Sequence, residues 1–157
     1  MNIRLANTDD IPGMLELLWQ VGQVHHDIRP DIFRPGCQKY DAAALTELLQ
    51  DPSRPIFIAN EDGHVAGYCF CVHKSCQDHP VMADRKELYI DDLCVDETRR
   101  GSGIATRLFR CVRKYAAEQQ FNVITLNVWC GNDGAMEFYK KMGMTPRNIT
   151  MELPCEE

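Results

Sequence analysis

Apolar residues recur three or four positions apart in four segments of the chain, which is the spacing of one buried helix face. The segments are residues 8–24, 41–49, 102–119 and 133–142. Thr8 and Asp41 stand at the starts of the first two, where short polar side chains cap the free backbone N–H groups of a helix. Residues 25–36 hold two prolines and a glycine, so this stretch is predicted to be a loop.

Shorter apolar runs between the helices predict strands. They cover residues 3–5, 56–59, 65–72, 87–95 and 123–129. Residues 145–153 are expected to add one or two closing strands. Asp62 and Gly63 favour a tight hairpin between the second and third runs, because both accept positive φ. Hairpins together with helical crossovers indicate an α/β fold with a layered sheet of mixed strand direction.

Two adjacent carboxylates, Asp91 and Asp92, interrupt the middle of the predicted strand over residues 87–95. A carboxylate in a central strand is costly unless it faces water or a ligand, so this position marks a candidate site before any motif is considered. Adjacent side chains of a regular strand point to opposite faces. At most one of the two therefore faces a substrate, and we expect the other to cap a backbone group or to pair with a cation.

The composition is that of a globular protein, and we expect residues 1–157 to form a single domain. Of the 157 residues, 45% are apolar and 25% are charged. The formal net charge is −6, from 17 basic and 23 acidic side chains, so a nucleic-acid partner, which needs a basic face, is not expected. No apolar run suits a membrane helix and the N-terminal residues lack a signal-peptide pattern, so the expected location is the cytoplasm.

The eight cysteines include no Cys-x-x-Cys pair and no paired spacing typical of a zinc site. Most of them interrupt apolar runs, and we interpret them as buried reduced thiols that act as small hydrophobic side chains. His25 and His26 do not suggest a metal site either, because adjacent residues of a helix diverge by about 100°. No metal is expected.

A glycine-containing turn joins the strand with the two carboxylates to the helix over residues 102–119. Gly101 and Gly103 lack Cβ atoms, so a ligand can come close to the backbone. The first N–H groups of the helix have no partner inside it and lie at the positive end of the helix dipole, which favours a phosphate group. A tight turn without a ligand is the alternative. The predicted phosphate site consists of Arg99, Arg100, Gly101, Ser102, Gly103, Ile104 and Ala105.

A second motif follows the last long strand and consists of Asn132, Ala135, Phe138, Tyr139 and Gly143. Taken alone, its asparagine is explained as a helix cap and its tyrosine as a core aromatic residue. Together the two blocks resemble the GCN5-related N-acetyltransferase (GNAT) family. Arg100, Gly103 and Ala105 match its Arg/Gln-x-x-Gly-x-Gly/Ala motif, and the second block matches its Asn-x-x-Ala-x-x-Phe-Tyr-x-x-x-Gly motif. The detailed match covers residues 87–144.

The resemblance implies a fold and a co-substrate. The fold is a mixed, mostly antiparallel central sheet of six to seven strands flanked by about four helices. In the family, acetyl-CoA lies in a V-shaped splay between the fourth and fifth strands, with its diphosphate on the turn and its pantetheine arm along the fourth strand. The residues that the resemblance assigns to cofactor binding beyond the turn are Leu93, Cys94, Val95, Asn132, Ala135 and Tyr139.

The implied reaction moves an acetyl group from acetyl-CoA to a primary amine by direct attack in a ternary complex. The amine must lose a proton, the oxyanion needs a hydrogen-bond donor, and the leaving thiolate needs a proton. Tyr139 matches the position of the family's general acid. Asp91 matches best the carboxylate base that some members carry. Asp92 is the alternative, and a mechanism without a dedicated protein base is the third.

The acceptor is left open by the sequence. The acidic balance favours a small cationic amine, whereas a protein N-terminus or lysine is the alternative acceptor. A non-catalytic acyl-CoA-binding module is the alternative function, and a toxin acting on aminoacyl-tRNA is disfavoured by the charge. The segment with His25, His26 and Asp27 often lines the acceptor pocket in the family, and Trp129 and Cys130 either border the acetyl group or pack. The oligomeric state is open, a homodimer included.

Overall fold

The computed structural model describes residues 1–155, which fall into two compact units. The first unit is Met1–Asn127, and the second begins at Val128. The expectation of a single domain over residues 1–157 stays a prediction. Within residues 1–155, no helix is both long and apolar enough to cross a membrane.

A five-stranded sheet forms the centre of the first unit. Its strands, in spatial order, are β1 (Asn2–Leu5), β2 (Ile56–Glu61), β3 (His64–Cys76), β4 (Arg85–Val95) and β5 (Val123–Leu126). All neighbouring strands run antiparallel except β4 and β5, which are parallel. The predicted mixed, mostly antiparallel sheet is confirmed, whereas the predicted six to seven strands are not.

The β2–β3 hairpin is the one that the sequence predicts. Glu61 pairs with His64, so the loop consists of only Asp62 and Gly63. Their φ angles are +51° and +88°, which is the left-handed geometry that a tight hairpin loop requires.

Four α-helices are present in the described residues, as predicted. They are α1 (Ile11–Ile28), α2 (Ala42–Leu48), α3 (Ile104–Glu118) and, in the second unit, α4 (Asp133–Lys141). Asp41 caps α2 by accepting a hydrogen bond from the N–H of Ala44. The predicted Thr8 cap is wrong, because Asn7 and Asp10 cap a short 3₁₀ turn that precedes α1.

The sheet is covered on both faces. On one face of β2 and β3, Ile58 and Tyr68 belong to a buried cluster that includes Met14, Leu17, Leu18 and Leu45 of α1 and α2. On the opposite face of β2, Phe57 contacts Tyr115 of α3 edge to face, with ring centroids 5.3 Å apart. The first unit is therefore a helix–sheet–helix sandwich.

Several predicted boundaries differ from the structure, and β3 runs to Cys76, four residues beyond its predicted end. α1 continues through His25 and His26 to Ile28, so both histidines lie in its last turn rather than in a loop. The helix ends close to Pro30 because a proline disfavours helical geometry in the residue before it. β5 ends at Leu126, three residues earlier than predicted.

Residues 145–155 form no strand, so the predicted closing strands are wrong for the described chain. Ile149, Met151 and Leu153 alternate with polar residues as a strand would, yet they are 79%, 85% and 86% exposed. Alternation is a property of one segment, whereas a strand also needs a neighbour that takes its backbone hydrogen bonds. The sequence pattern supplied only the first condition.

Candidate active site

The two adjacent carboxylates lie where β4 changes its pairing. On one side, Phe70 of β3 pairs with Asp92 and Cys71 pairs with Ile90, so Asp91 is the extra residue of a β-bulge. On the other side, β4 pairs with β5 only as far as Ile90. The pairing of the fourth and fifth strands thus ends next to the two carboxylates, where the predicted splay between these strands would begin. The bulge also breaks the regular alternation of side chains at the carboxylates.

Asp92 has the environment of a proton acceptor. Its side chain is half-buried and accepts a hydrogen bond at 2.8 Å from the hydroxyl of Tyr68, which is fully buried. Burial raises the pKa of Asp92 from 3.8 to about 6, although the hydrogen bond from Tyr68 acts in the opposite direction. Asp92 can therefore bind or release a proton close to neutral pH.

Asp91 has different partners. The ammonium group of Lys39 donates to Oδ2 of Asp91 at 2.6 Å, and the hydroxyl of Tyr40 donates to the same oxygen at 3.1 Å. The side chain of Asp91 is 18% exposed and that of Lys39 is 48% exposed. Burial lowers the pKa of Lys39, but the hydrogen bond and the charge of Asp91 outweigh burial and leave that pKa raised. Asp91, which the sequence favours as the base, is thus the carboxylate that pairs with a cation.

The loop between α1 and α2, residues 29–41, lies close against α1. Gly22 permits this contact, because a Cβ at this position would collide with the carbonyl oxygen of Cys37. The ring of Tyr40 stacks on that of the buried Phe70, with centroids 5.7 Å apart. These two contacts hold the end of the loop beside β4, where Lys39 reaches the bulge.

Three residues of this cluster were missed by sequence reasoning. Lys39 and Tyr40 lie 52 and 51 positions before Asp91, and Tyr68 lies 24 positions before Asp92. No local pattern connects residues at such separations. Tyr68 also occupies an apolar position of β3, where an aromatic side chain is expected for packing alone.

The turn between β4 and α3 has the backbone geometry that its glycines predict. Asp96 begins it by accepting hydrogen bonds from the N–H and the hydroxyl of Thr98, at 2.9 and 2.8 Å. Gly101 and Gly103 have φ angles of +79° and +84°. A Cβ at either position would meet no atom within 4 Å. The left-handed backbone therefore requires glycine here, and the space beside it is open.

The N-terminus of α3 can accept an anion. No side chain caps it, so its first N–H groups have no partner from a capping residue. Arg100 is exposed and makes no ion pair within residues 1–155, whereas Arg99 pairs with Glu61. Unpaired donors, the positive end of a helix dipole and an uncommitted guanidinium group together suit a diphosphate.

Beyond the bulge, β4 has no paired strand on its second edge within residues 1–155. The N–H of Asp96 donates to the carbonyl oxygen of Ala66, which sets the alternation along the β3–β4 ladder. Leu93 and Val95 therefore turn their N–H and C=O groups away from β3, while those of Cys94 face β3. The predicted backbone contacts with a pantetheine arm suit Leu93 and Val95. Burial raises the pKa of the Cys94 thiol to about 12, so it remains protonated.

The second predicted motif lies in the second unit, on α4. The side-chain oxygen of Asn132 accepts a hydrogen bond at 3.2 Å from the N–H of Ala135, and Gly143, at φ +91°, follows the C-terminus of the helix. Tyr139 is half-buried, with its ring edge-on to Phe138 at 5.1 Å. The cap that Asn132 supplies is thus confirmed, whereas the roles of Asn132, Ala135 and Tyr139 in cofactor binding or catalysis stay predictions.

The two histidines of α1 contact the loop that follows the helix. The ring of His25 stacks on Phe33 at 5.0 Å, and Nδ1 of His26 lies 2.7 Å from the carbonyl oxygen of Phe33. Burial lowers the pKa of His25, and the charge of Lys39 adds to this effect. Among residues 1–155, no group of three or more His, Cys, Asp or Glu side chains could hold a metal ion.

Comparison with known proteins identifies the family. Residues 21–144 match the acetyltransferase (GNAT) family. The chain therefore belongs to that family. A relative in Bacillus subtilis (strain 168), named as a proposed ribosomal protein bS18-alanine N-acetyltransferase, is 28% identical over 103 residues. The match covers 66% of this chain and 62% of the relative, so the chain spans less than two thirds of that relative's length.

Solved structures share the fold. A mutant form of the BH1408 protein of Bacillus halodurans superposes with a TM-score of 0.95 at 33% identity, covering 99% of this chain and 100% of that chain. The aminoglycoside N-acetyltransferase AAC(6')-Iy in complex with CoA gives a TM-score of 0.72 at 17% identity, covering 98% of this chain and 100% of that chain. At that identity the likeness concerns the fold alone.

Proposed function

We propose that the chain is an acetyl-CoA-dependent N-acetyltransferase that transfers the acetyl group to a primary amine by direct attack. The observation that carries this proposal is the position of Asp92. Its carboxylate has a pKa of about 6 and lies at the point where β4 loses β5 as a neighbour, on the strand that leads into the uncapped turn before α3. The proton acceptor Asp92, the strand edge at Leu93 and Val95, and the anion site at the start of α3 thus follow one another along the chain.

The chain's own residues divide the work of binding. The N–H groups at the start of α3 and the guanidinium group of Arg100 hold the diphosphate. The outward N–H and C=O groups of Leu93 and Val95 bond to the amides of the pantetheine arm. When bound, acetyl-CoA supplies an acetyl group that its thioester activates. The structure's unpaired donors and open space at Gly101 and Gly103 fit such a co-substrate.

Asp92 is the preferred base in this mechanism. It accepts a proton from the ammonium group of the acceptor, because its pKa of about 6 places it largely ionised but still basic at neutral pH. Asp91, which the sequence favoured, is engaged by Lys39 and Tyr40 and is now the alternative. Tyr139 is proposed to protonate the leaving sulfur, on the strength of its place in the second motif.

The acceptor proposed is a small cationic amine. Asp91 and Asp92 bring two carboxylates to one bulge, and neighbouring carboxylates favour a cation. Structures that share the fold include aminoglycoside acetyltransferases, and aminoglycosides carry several amines. The name of the Bacillus subtilis relative instead indicates a protein N-terminus, which is the second acceptor class to test.

The test follows release of free thiol from acetyl-CoA with a panel of acceptors. The panel contains a polyamine, an aminoglycoside, an amino-acid amide and a peptide with N-terminal alanine. Turnover with the polyamine or the aminoglycoside supports the full proposal. Turnover with the peptide alone would instead indicate that the acceptor is a protein N-terminus. Tyr139→Phe is the catalytic variant, since it keeps the ring while removing the hydroxyl.

Binding of acetyl-CoA is measured separately. Hydrogen exchange should slow at the backbone amides of residues 100–105, and the melting temperature should rise. If neither the exchange rate nor the melting temperature changes, the chain does not bind acetyl-CoA and the proposal is wrong. If acetyl-CoA binds and no amine of the panel is acetylated, a non-catalytic acyl-CoA-binding module is favoured instead.

A further inference from the structure

The bulge of β4 already holds an amine. The ε-ammonium group of Lys39 lies 2.6 Å from Oδ2 of Asp91, next in sequence to the proposed base. The chain contains six lysines, and among residues 1–155 only Lys39 and Lys114 are ion-paired. The partner of Lys114 is Glu118, one turn further along α3. Among residues 1–155, Lys39 is thus the one lysine that forms an ion pair with a carboxylate of the bulge.

The backbone and a neighbouring ring hold Lys39 in this place. The loop packs so closely on α1 that a side chain at Gly22 would collide with Cys37, and the next residue, Tyr40, stacks on Phe70 and donates to the same carboxylate oxygen. A group fixed beside a reaction centre reacts faster than the same group free in solution, because its loss of translational freedom is already accounted for in the fold.

We propose that Lys39 is a self-acetylation site, at which the chain transfers an acetyl group from acetyl-CoA to its own ε-amine. The inference rests on the proposed function, since it uses the same co-substrate and the same bulge, with Asp91 in place of Asp92 as the proton acceptor. It adds a covalent modification of the loop that borders the acceptor site.

The chemistry balances without a further reactant. The ammonium group of Lys39 gives one proton to the carboxylate of Asp91, and the neutral nitrogen attacks the carbonyl carbon of the thioester. The N–C bond forms as the C–S bond breaks, and the electron pair of that bond leaves with sulfur. The nitrogen gives up its second proton, sulfur takes one up, and Asp91 returns the first proton to solvent. The products are acetyl-lysine and CoA, with one proton released to solvent.

Acetylation also removes the positive charge of Lys39. An acetylated lysine cannot form the ion pair with Asp91, so the carboxylate would lose its cationic partner. The modified chain is therefore expected to bind a cationic acceptor at this carboxylate without competition from its own loop.

The experiment incubates the full chain with acetyl-CoA in the absence of an acceptor and follows the modified peptides by mass spectrometry. Lys114 is the matched control, because it is also ion-paired but is 77% exposed, against 48% for Lys39. Simple chemical acetylation favours the more exposed amine. The proposal predicts that Lys39 is acetylated at least about tenfold faster than Lys114, as expected for an amine held beside the reaction centre.

Two variants and a dilution series make the result decisive. Lys39→Arg keeps the ion pair and should leave the peptide unmodified. Asp91→Asn removes the contact and should slow acetylation of Lys39 without changing Lys114. The rate per molecule should stay constant on dilution, because donor and acceptor sites belong to one chain. A rate that falls with dilution, or equal rates at the two lysines, overturns the proposal.

The melting temperature separates this proposal from the proposed function. If acetyl-CoA raises the melting temperature and Lys39 stays unmodified, self-acetylation is wrong and co-substrate binding stands. If acetyl-CoA has no effect on the melting temperature, both proposals fail together.

Discussion

The bulge of β4 and the turn that follows it are only a few residues apart, yet their polar groups are in opposite states. At the bulge, Asp91 and Asp92 are bonded by side chains from distant parts of the chain. At the turn, no side chain caps the N-terminus of α3, and Arg100 makes no ion pair within residues 1–155. The partners of a hydrogen-bonded carboxylate can change its pKa. Backbone N–H groups and a guanidinium group without partners can instead bind a ligand.

Two sites of different chemistry can therefore form along β4 and the turn that follows it. A bulge places carboxylates inside the fold, where burial raises the pKa of Asp92 to about 6. A glycine turn places backbone donors outside the fold, where they keep their affinity for an anion. Under the proposed function, Asp92 at the bulge accepts the proton and the turn holds the anion, so variants in the two places should affect different measured quantities.

The largest expected effect is the loss of catalysis on replacing Asp92. Asp92→Asn keeps the shape of the side chain but removes the proton acceptor, so kcat/KM for the acceptor should fall about hundredfold or more. The affinity for acetyl-CoA should not change. Asp91→Asn is the matched control, and its effect should be smaller than about tenfold. An equal loss in both variants would show that the bulge does not divide the two roles.

The same variant should be more stable than the parent chain at high pH. The pKa of Asp92 in the folded chain is raised from 3.8 to about 6, so its contribution to stability is complete below the lower value and is lost as pH rises through the higher one. Asp92→Asn should therefore raise the free energy of unfolding by on the order of 3 kcal/mol at pH about 8.

Urea unfolding at acidic and alkaline pH measures this difference. Well below pH 3.8, the parent and Asp92→Asn should be equally stable, because the parent carboxyl is then protonated in both the folded and the unfolded state. A variant that is less stable than the parent at every pH would contradict the burial assigned to Asp92.

Substitutions in the turn between β4 and α3 should change the affinity for acetyl-CoA rather than the catalytic rate. Arg100→Ala should weaken acetyl-CoA binding about tenfold, because a charge-assisted hydrogen bond to phosphate is lost. Arg99→Ala should weaken it less, since Arg99 is paired with Glu61. Calorimetry at two salt concentrations measures both effects. A larger loss for Arg99 than for Arg100 would contradict the assignment of the free cation at the turn.

The smallest expected effect is a shift in the pH profile of Tyr68→Phe. The hydroxyl of Tyr68 stabilises the charged form of Asp92, so its removal should raise the pKa of Asp92 further. The acidic limb of kcat/KM should then move to higher pH by up to about one unit. The KM for acetyl-CoA serves as the control, and it should stay constant. A limb that moves to lower pH would exclude Asp92 as the titrating group.

Local pattern was sufficient for the features that one segment builds by itself. The Asp62-Gly63 hairpin, the Asp41 cap of α2 and the left-handed glycines of the turn all follow from backbone preferences that neighbouring residues satisfy. The family membership that the two motifs implied is confirmed by the match over residues 21–144. The carboxylate pair was also visible, because a charged residue in a central strand is rare enough to mark a site.

Tertiary structure decided what depends on a second segment. Residues 145–155 have the alternation of a strand but no described partner strand, so the sheet has five strands. Burial in the folded chain raises the pKa of Asp92 to about 6, and the side chains that bond the two carboxylates, Tyr68 and Lys39, lie far from the bulge in sequence. Pairing and burial are relations between distant parts of the chain. The sequence by itself therefore determined the family and marked the carboxylate pair, and only the fold decided which partners those carboxylates have.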